Sequence, residues 1–283
     1  MNYRHAFHAG NFADVLKHIV LSLCLDRMTR KPKPLRVIDT HAGVGRYRLD
    51  SGEAERTGEW RGGIGRLMAS GADPLPPTIA AILAPYLDSV RAFNPSGDLA
   101  IYPGSPLISL ALMRPGDRMA ACELHPEDAA ALRRELRHDG RAKVLEMDGW
   151  QALRATLPPN ERRGLILIDP PFEEAGELDR LVKAVGDGTK RFATGTYLLW
   201  LPIKDVRQSA SFANAIGRME GVQAIWIELR TQRIETAERL AGSALVVINP
   251  PFGLEQNLQT ILPWLSERLA TGEGAAWRLD TVA

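Results

Sequence analysis

The sequence predicts an α/β fold in which a doubly wound, mostly parallel sheet of seven strands carries a small helical insertion. Two observations support this class. Short apolar runs alternate with longer segments whose apolar residues recur every three or four positions, the pattern of strands joined by helices. The run from Leu165 to Ile168 is apolar throughout, which is typical of a parallel strand buried on both faces. The strands are expected at residues 35–39, 117–123, 143–147, 164–168, 194–201, 223–229 and 243–248.

The intervening segments have helical periodicity. Ser105 can cap one helix, because Pro106 then occupies the first helical position. The tail from Thr271 shows no periodicity and is expected to be the loosest part of the chain. The helices are expected at residues 13–28, 105–113, 127–137, 151–157, 178–185, 204–218 and 254–269.

Residues 46–100 interrupt this alternation. They contain short helical patterns and no buried strand, and they are longer than a strand–helix connection needs. We therefore expect a helical subdomain at 46–100, inserted into a main domain formed by residues 1–45 and 101–283. Selection of the substrate is a common role for such an insertion.

Composition limits the binding partners and the cellular compartment that can be expected for the protein. The 283 residues carry a net charge of +1, so any nucleic acid has to be bound by a local basic patch. Cys24 and Cys122 lie in apolar runs, as expected for buried thiols in a reducing compartment. No apolar run approaches the roughly 20 residues of a membrane span, and the N-terminus lacks the apolar core of a signal peptide. We expect a cytoplasmic protein.

Residues 1–12 mix aromatic side chains, histidines and an arginine without any period, and we expect this tail to fold over a pocket. His5, His8, His18 and His41 are candidate metal ligands by residue type. No pair of these has a compact ligand spacing with a cysteine or an acid, so no metal is predicted.

The tetrad Asp169-Pro170-Pro171-Phe172 follows the fourth predicted strand directly. Prolines end a strand because they cannot donate to its ladder, so the tetrad lies at the carboxyl end, where open α/β sheets bind ligands. An acid, a stiff backbone and an aromatic face suit a flat ring that bears an amine. A plain turn after the strand is the alternative.

A second tetrad, Asn249-Pro250-Pro251-Phe252, fits the same pattern slightly better. It follows the seventh strand, however, and no second glycine loop follows to support a permuted order. We assign it a structural role, with a contribution to the pocket as the alternative.

Polar residues follow four successive strands, whose carboxyl ends share one edge of a parallel sheet. Glycines let a loop approach a small ligand closely. An acid on the second strand can accept both ribose hydroxyls, and one on the third an adenine amine. This arrangement resembles the class I, Rossmann-like, S-adenosylmethionine-dependent methyltransferases, and the tetrad resembles the motif of those that methylate adenine N6. The residues are Asp39 with Gly43 and Gly45, Glu123, Asp148, and the tetrad that begins at Asp169.

The resemblance extends to one family. The string Tyr3–His18 is similar to the N-terminal signature of the bacterial 23S ribosomal RNA adenine-N6 methyltransferase J (RlmJ) family. Further similar strings lie at 39–43, 102–108, 123–126, 163–171 and 191–197. The resemblance implies methyl transfer from S-adenosyl-L-methionine to N6 of a specific adenine in 23S ribosomal RNA, before full ribosome assembly and with no obligate protein partner. It also implies the helical insertion at 46–100.

Residue roles follow from the family and from the chemistry above. Asp169, Pro170 and Phe172 are the expected catalytic residues. The expected cofactor contacts are His18, His41, Gly43, Ser105, Glu123, Asp148, Gly149 and Asp169. The expected RNA contacts near the pocket are Tyr3, Arg4, His5 and Lys17. Further cations that could extend an RNA track are Arg46, Arg48, Arg133, Arg134, Arg137, Arg162, Arg163, Lys190 and Arg191.

Three alternatives remain open. The same machinery could methylate adenine in DNA or a protein glutamine amide. A non-catalytic RNA-binding module could retain the fold, although a pure binder needs no acceptor for a ribose. A nicotinamide oxidoreductase is disfavoured because the G-x-G-x-x-G fingerprint is missing.

Overall fold

An eight-stranded sheet lies between two layers of helices in the computed structural model, which describes residues 5–173, 176–234 and 240–282. The strands are β1 (Arg36–Asp39), β2 (Arg46–Arg48), β3 (Ile101–Pro103), β4 (Arg118–Glu123), β5 (Ala142–Glu146), β6 (Gly164–Ile168), β7 (Thr196–Ile203), β8 (Ala224–Arg230), β9 (Gly242–Ile248) and β10 (Ala276–Val282). The sheet order is β10-β8-β9-β7-β6-β1-β4-β5, and β2 pairs with β3 separately. β9 and β10 run against the other strands, so the predicted mostly parallel sheet is confirmed.

Two hydrophobic cores lie on the two faces of the sheet. The helices are α1 (Phe12–Thr29), α2 (Gly52–Thr57), α3 (Glu59–Gly62), α4 (Gly65–Met68), α5 (Pro77–Arg91), α6 (Ser105–Leu112), α7 (Pro126–Leu136), α8 (Gly149–Thr156), α9 (Glu177–Arg191), α10 (Val206–Gly217) and α11 (Leu254–Arg268), preceded by a 3-10 turn at His5–Phe7. One core joins α1, α5, α6, α7 and α11 to the sheet, and the other joins α8, α9 and α10. No helix in the described ranges is long and apolar enough to span a membrane.

The predicted number of seven strands is wrong by one. Residues after Thr271 include β10, which pairs with β8 so that Trp277 lies opposite Leu229. The expectation that the tail is loose is therefore wrong. β10 is an edge strand of exposed and half-buried residues in no regular alternation, and its backbone pairing stabilises it without an apolar run that sequence patterns could reveal.

Residues 46–100 were expected to contain no buried strand, and the structure adds a short, mostly exposed strand at their start. Arg46–Arg48 forms β2, in which only Tyr47 is buried, and Tyr47 lies opposite Tyr102 of β3. A single apolar residue between two arginines gives no strand signal. Leu83 and Tyr86 of α5 share a core with Ile19 of α1. The domain boundaries at 45/46 and 100/101 stay a prediction.

Residues 8–11 are fastened to the segment that carries α3. The side chain of Asn11 caps α1, accepting hydrogen bonds from the amides of Ala13 and Asp14 at 3.0 Å. His8 Nδ1 lies 3.0 Å from Glu59 Oε2, and Ile64 N donates to Gly10 O at 2.9 Å. The start of α1 is therefore held by a cap and by contacts with α3 and the residues after it.

The backbone at Gly63 packs especially closely against residues 10 and 11. A methyl group at Gly63 would lie 2.1 Å from Gly10 O, so Gly63→Ala should force the two backbones apart and destabilise the protein by about 1–3 kcal/mol. Urea unfolding measures the loss, and limited proteolysis should show faster cleavage near residue 10. The control is Gly62→Ala, since a methyl group there meets nothing within 4 Å. Equal stability of the two variants would contradict the close packing.

Candidate active site

Four acids meet at one edge of the sheet because β6, β1, β4 and β5 are neighbours and parallel. Asp39 and Glu123 end β1 and β4, while Asp148 and Asp169 follow β5 and β6 closely. The structure thus brings together the acids that the sequence places at successive strand ends.

Glu123 fixes the glycine loop to the end of β4. Gly43 N donates to Glu123 Oε2 at 2.9 Å, and His125 N donates to Oε1 at 2.9 Å. Gly43 has a φ of +61°, and a methyl group there would lie 2.3 Å from the Tyr47 hydroxyl oxygen, so only glycine fits. Burial raises the pKa of Glu123.

Asp39 is fully buried and is bonded by Ser105. The Ser105 hydroxyl donates to Asp39 Oδ2 at 2.6 Å, and His41 N donates to Oδ1 at 3.3 Å. Burial raises the pKa of Asp39 to about 6. The prediction that Ser105 caps α6 is wrong: Gly104 is the N-cap, and the serine hydroxyl turns to the carboxylate because Asp39 is a charged acceptor.

Asp148 caps α8 and also binds an arginine. Its Oδ1 accepts from Trp150 N at 2.7 Å, and its Oδ2 lies 3.2 Å from an Arg180 guanidinium nitrogen. A methyl group on Gly149 would lie 2.4 Å from Thr40 O and 2.9 Å from the His41 ring. Glycine is therefore required where α8 begins against the β1 loop.

Two histidines at this edge, the buried His18 and the half-buried His41, are neutral. Burial lowers the pKa of His18 to about 3 and that of His41 to about 4. His18 Nδ1 lies 2.7 Å from the Tyr102 hydroxyl, which lies 3.1 Å from that of Tyr86. His18 Nε2 is buried without a hydrogen-bond partner in the described chain, so it can serve a ligand. Tyr102 lies in one of the strings that resemble the family, whereas Tyr86 could not be recognised from the sequence as a neighbour of this site.

A buried ion-pair chain joins α1 to the tetrad. Lys17 Nζ lies 2.5 Å from Asp169 Oδ2 and 2.8 Å from Asp14 Oδ1. Burial alone would lower the pKa of Lys17, but Asp14 and Asp169 outweigh it and hold that pKa above its usual value. Burial would likewise raise the pKa of Asp14, but His5 and Lys17 hold it well below its usual value. The one sequence feature that indicates this series of ion pairs is the i, i+3 spacing of Asp14 and Lys17.

Phe172 occupies a left-handed backbone conformation, with a φ of +51°, which is uncommon for a bulky residue. Its ring lies 5.7 Å from that of Trp200, and Lys17 Nζ lies 6.0 Å from the Trp200 ring. Trp200 on β7 is thus a neighbour of the tetrad that sequence reasoning missed, because it lies inside a strand.

The second tetrad lies at the opposite edge of the sheet. β9 runs against β7, so Ile248 pairs with Tyr197 near the start of β7. Asn249 Nδ2 donates to the carbonyls of Ala193 and Gly195, each at 2.8 Å, and closes the turn before β7. Phe252 is 83% exposed. Asn249 therefore has a structural contact and cannot share a pocket with Asp169.

The residues expected to contact RNA differ in exposure and in their bonding partners. Tyr3 and Arg4 lie outside the described residues. His5 Nε2 lies 3.0 Å from Asp14 Oδ2, and the Lys17 side chain is only 5% exposed, so its charge faces carboxylates rather than solvent. Several outer cations also bond protein acceptors: Arg46 with Glu135, Arg48 with Asp50, Arg133 with Glu146, and Arg163 with the Met28 carbonyl. The described residues contain no group of three or more side chains suited to a metal.

The sheet and the row of acids define a class I, Rossmann-like methyltransferase fold. The family model described as "Ribosomal RNA large subunit methyltransferase D, RlmJ" matches residues 32–282. The chain belongs to this RlmJ family.

Individual relatives agree with this assignment over the full chain. Ribosomal RNA large subunit methyltransferase J of Escherichia coli K12 is 45% identical over 98% of this chain and 97% of its own. The protein of the same name from Haemophilus influenzae Rd is 42% identical over 100% and 99%. The crystal structure of protein LPL1258 from Legionella pneumophila Philadelphia 1 is 31% identical, with a TM-score of 0.88 over 98% and 99% of the two chains.

Asp39 should make stability depend on pH. Its folded pKa of about 6 lies above the usual value of 3.8, so its contribution is complete below pH 4 and is lost as the pH rises through 6. Asp39→Asn keeps the shape and never ionises. Relative to wild type, the variant should therefore gain up to about 3 kcal/mol between pH 4 and pH 7. Urea unfolding of both proteins at the two pH values measures this, and a difference that stays constant would contradict it.

Proposed function

We propose that this protein transfers a methyl group from S-adenosylmethionine to N6 of an adenine in 23S ribosomal RNA. One observation carries the proposal: Asp169 and Phe172 lie at the sheet edge where acceptors for a nucleoside cofactor also lie. The printed names of the relatives, ribosomal RNA large subunit methyltransferases, support the same substrate class.

The residues at this edge suit the cofactor. Each Glu123 oxygen accepts one backbone amide and has a second lone pair, so the carboxylate can accept two ribose hydroxyls. Asp148 can accept an adenine amine in the same way. Gly43 and Gly149 keep the backbone close, and His18 Nε2 offers an unused polar atom. When bound, the cofactor supplies an electrophilic methyl group on a sulfonium.

Asp169 and Pro170 activate the acceptor amine. The N6 lone pair of adenine is delocalised into the ring, so the amine is a poor nucleophile. Lys17 bonds Asp169 Oδ2, whereas Oδ1 accepts no hydrogen bond from the described residues and can take one N–H of the amine. The Pro170 carbonyl takes the other, which favours a tetrahedral nitrogen with a free lone pair. As the nitrogen–carbon bond forms, Asp169 or a water that it holds accepts the departing proton.

Phe172 holds the base, and Trp200 supports Phe172. The Asp169 side chain is only 16% exposed, so an adenine has to leave its stack to reach it. This requirement favours RNA that is still free of its full set of ribosomal proteins. The contacts of His5 with Asp14 and of His8 with Glu59 support folding of residues 5–12, the described part of the predicted tail, beside the site, and an insertion at 46–100 that helps to hold them.

Asp169→Asn removes the charge of the acceptor and should lower turnover by 10²–10⁴-fold, with the affinity for S-adenosylmethionine within about tenfold of wild type. Methylation of protein-free 23S RNA, duplex DNA and a release-factor-like protein is measured by mass spectrometry, and titration calorimetry gives the affinity. RNA should be the only substrate, with the label at adenine N6.

The matched exchange in the second tetrad, Asn249→Asp, removes the two hydrogen bonds that close the turn before β7. It should lower stability and leave the turnover of the folded protein near wild type. Loss of turnover in the Asn249→Asp variant, together with normal turnover in the Asp169→Asn variant, would overturn the assignment of Asp169 as the catalytic acid.

Phe172→Leu should lower kcat/KM for RNA by a factor of roughly 5 to 150, since stacking on an aromatic ring contributes about 1–3 kcal/mol per base. Affinity for S-adenosylmethionine should not change. Phe252→Leu is the control, because that ring is 83% exposed at the far edge. Single-turnover methylation assays compare the three proteins. A Phe172→Leu variant that matched Phe252→Leu would rule out the stacking role.

A further inference from the structure

A groove between α8 and α9 shares Asp148 with the proposed cofactor site, and its basic side chains have no role in the function proposed above. Its volume is about 240 Å³. Four basic and two acidic side chains line it: Arg154, Arg180, Lys183 and Arg191, with Asp148 and Asp187.

The basic residues form a stripe that starts at the active edge. α9 begins shortly after the Asp169 tetrad, and Arg180 lies in its first turns, bonded to Asp148. Lys183 and Arg191 follow along the same side of the helix and line the same groove. From Arg180 to Arg191 the stripe spans about 16 Å at 1.5 Å per residue, which is enough for several backbone phosphates of a strand.

The acids in the groove do not neutralise the stripe. Asp148 already serves the N-terminus of α8 and Arg180. Asp187 lies 3.7 Å from Arg154, both side chains being substantially exposed. Neither Lys183 nor Arg191 has a carboxylate partner in the described ranges, and Arg191 instead donates to the Arg154 carbonyl. Lys183 and Arg191 are therefore two exposed cations in the groove whose charges are not neutralised by a described carboxylate.

We propose that this groove holds the phosphates of the RNA strand that carries the target adenine. The proposal rests on the function proposed above and names where its substrate lies. The Trp150 ring already contacts the Arg180 guanidinium at 5.1 Å and the His41 ring at 5.6 Å, so it is engaged by protein rather than free for a base. The groove thus contacts phosphates and positions the strand without reading its sequence.

The test uses the full chain with Arg154, Lys183 and Arg191 all changed to Gln. Arg180 is left unchanged because it bonds Asp148. Binding of protein-free 23S RNA is measured from low to moderate salt. Loss of three phosphate contacts on a single strand should reduce the steepness of log K against log salt by about 2. Affinity for S-adenosylmethionine and thermal stability should match wild type. The charge-keeping variant R154K/K183R/R191K should restore the slope.

The control changes Arg133, Arg134 and Arg137 to Gln, which removes the same number of positive charges from α7 and its C-cap. The sequence offered these arginines too as candidates for an RNA track, but they lie on the other face of the sheet from the groove. Its salt slope should equal that of wild type. A groove variant with an unchanged slope, or an equal decrease in both triple variants, would overturn the groove assignment. If wild type itself neither bound nor methylated 23S RNA, the proposed function would fail first, so the two failures are distinct.

Discussion

The ammonium of Lys17, buried between Asp14 and Asp169, is the interaction on which the site depends. Breaking a buried ion pair by removing one partner typically costs 3–5 kcal/mol, because a charge is left uncompensated. Here Asp14 is further held by His5 and by the Gly10 amide. The position of the acceptor carboxylate is therefore coupled to α1 and to the residues before it. Residues 5–11, the described part of the segment before α1, thus help to hold the candidate site in place.

The same edge of the sheet is electrostatically suited to a cationic ligand. His18 and His41 are neutral, and Lys17 is matched by two carboxylates. Asp39 is held partly protonated near neutral pH by burial and by the nearby charge of Asp169. A positive sulfonium close to these acids would favour their ionised forms, so binding of the cofactor and ionisation of Asp39 should support each other.

The sequence was sufficient for the parts of the fold that have strong periodic signals. The strands β1, β4 and β6 and the acids at their ends were predictable, because a buried parallel strand is an apolar run and its polar end is conspicuous. β5 is half exposed, and its short apolar run was still sufficient to indicate a strand. β10 and β2 were not, because backbone pairing rather than burial defines them. Sequence order placed Asn249 outside the pocket, but the physical reason is the reversed direction of β9. The turn of Ser105 toward Asp39 and the Lys17–Asp169 contact join distant segments, so local patterns could not reveal them.

The family establishes methylation of large-subunit ribosomal RNA. The row of acids and the supported Asp169 carboxylate are the basis of the proposal that the methyl group goes to N6 of an adenine in 23S RNA. The most direct test maps N6-methyladenine by mass spectrometry in 23S RNA from cells with the gene, without it, and with it restored. One N6-methyladenine should disappear on deletion and return with the wild-type gene. An unchanged set of N6-methyladenines, or loss of a methyl group from a different atom, would contradict it.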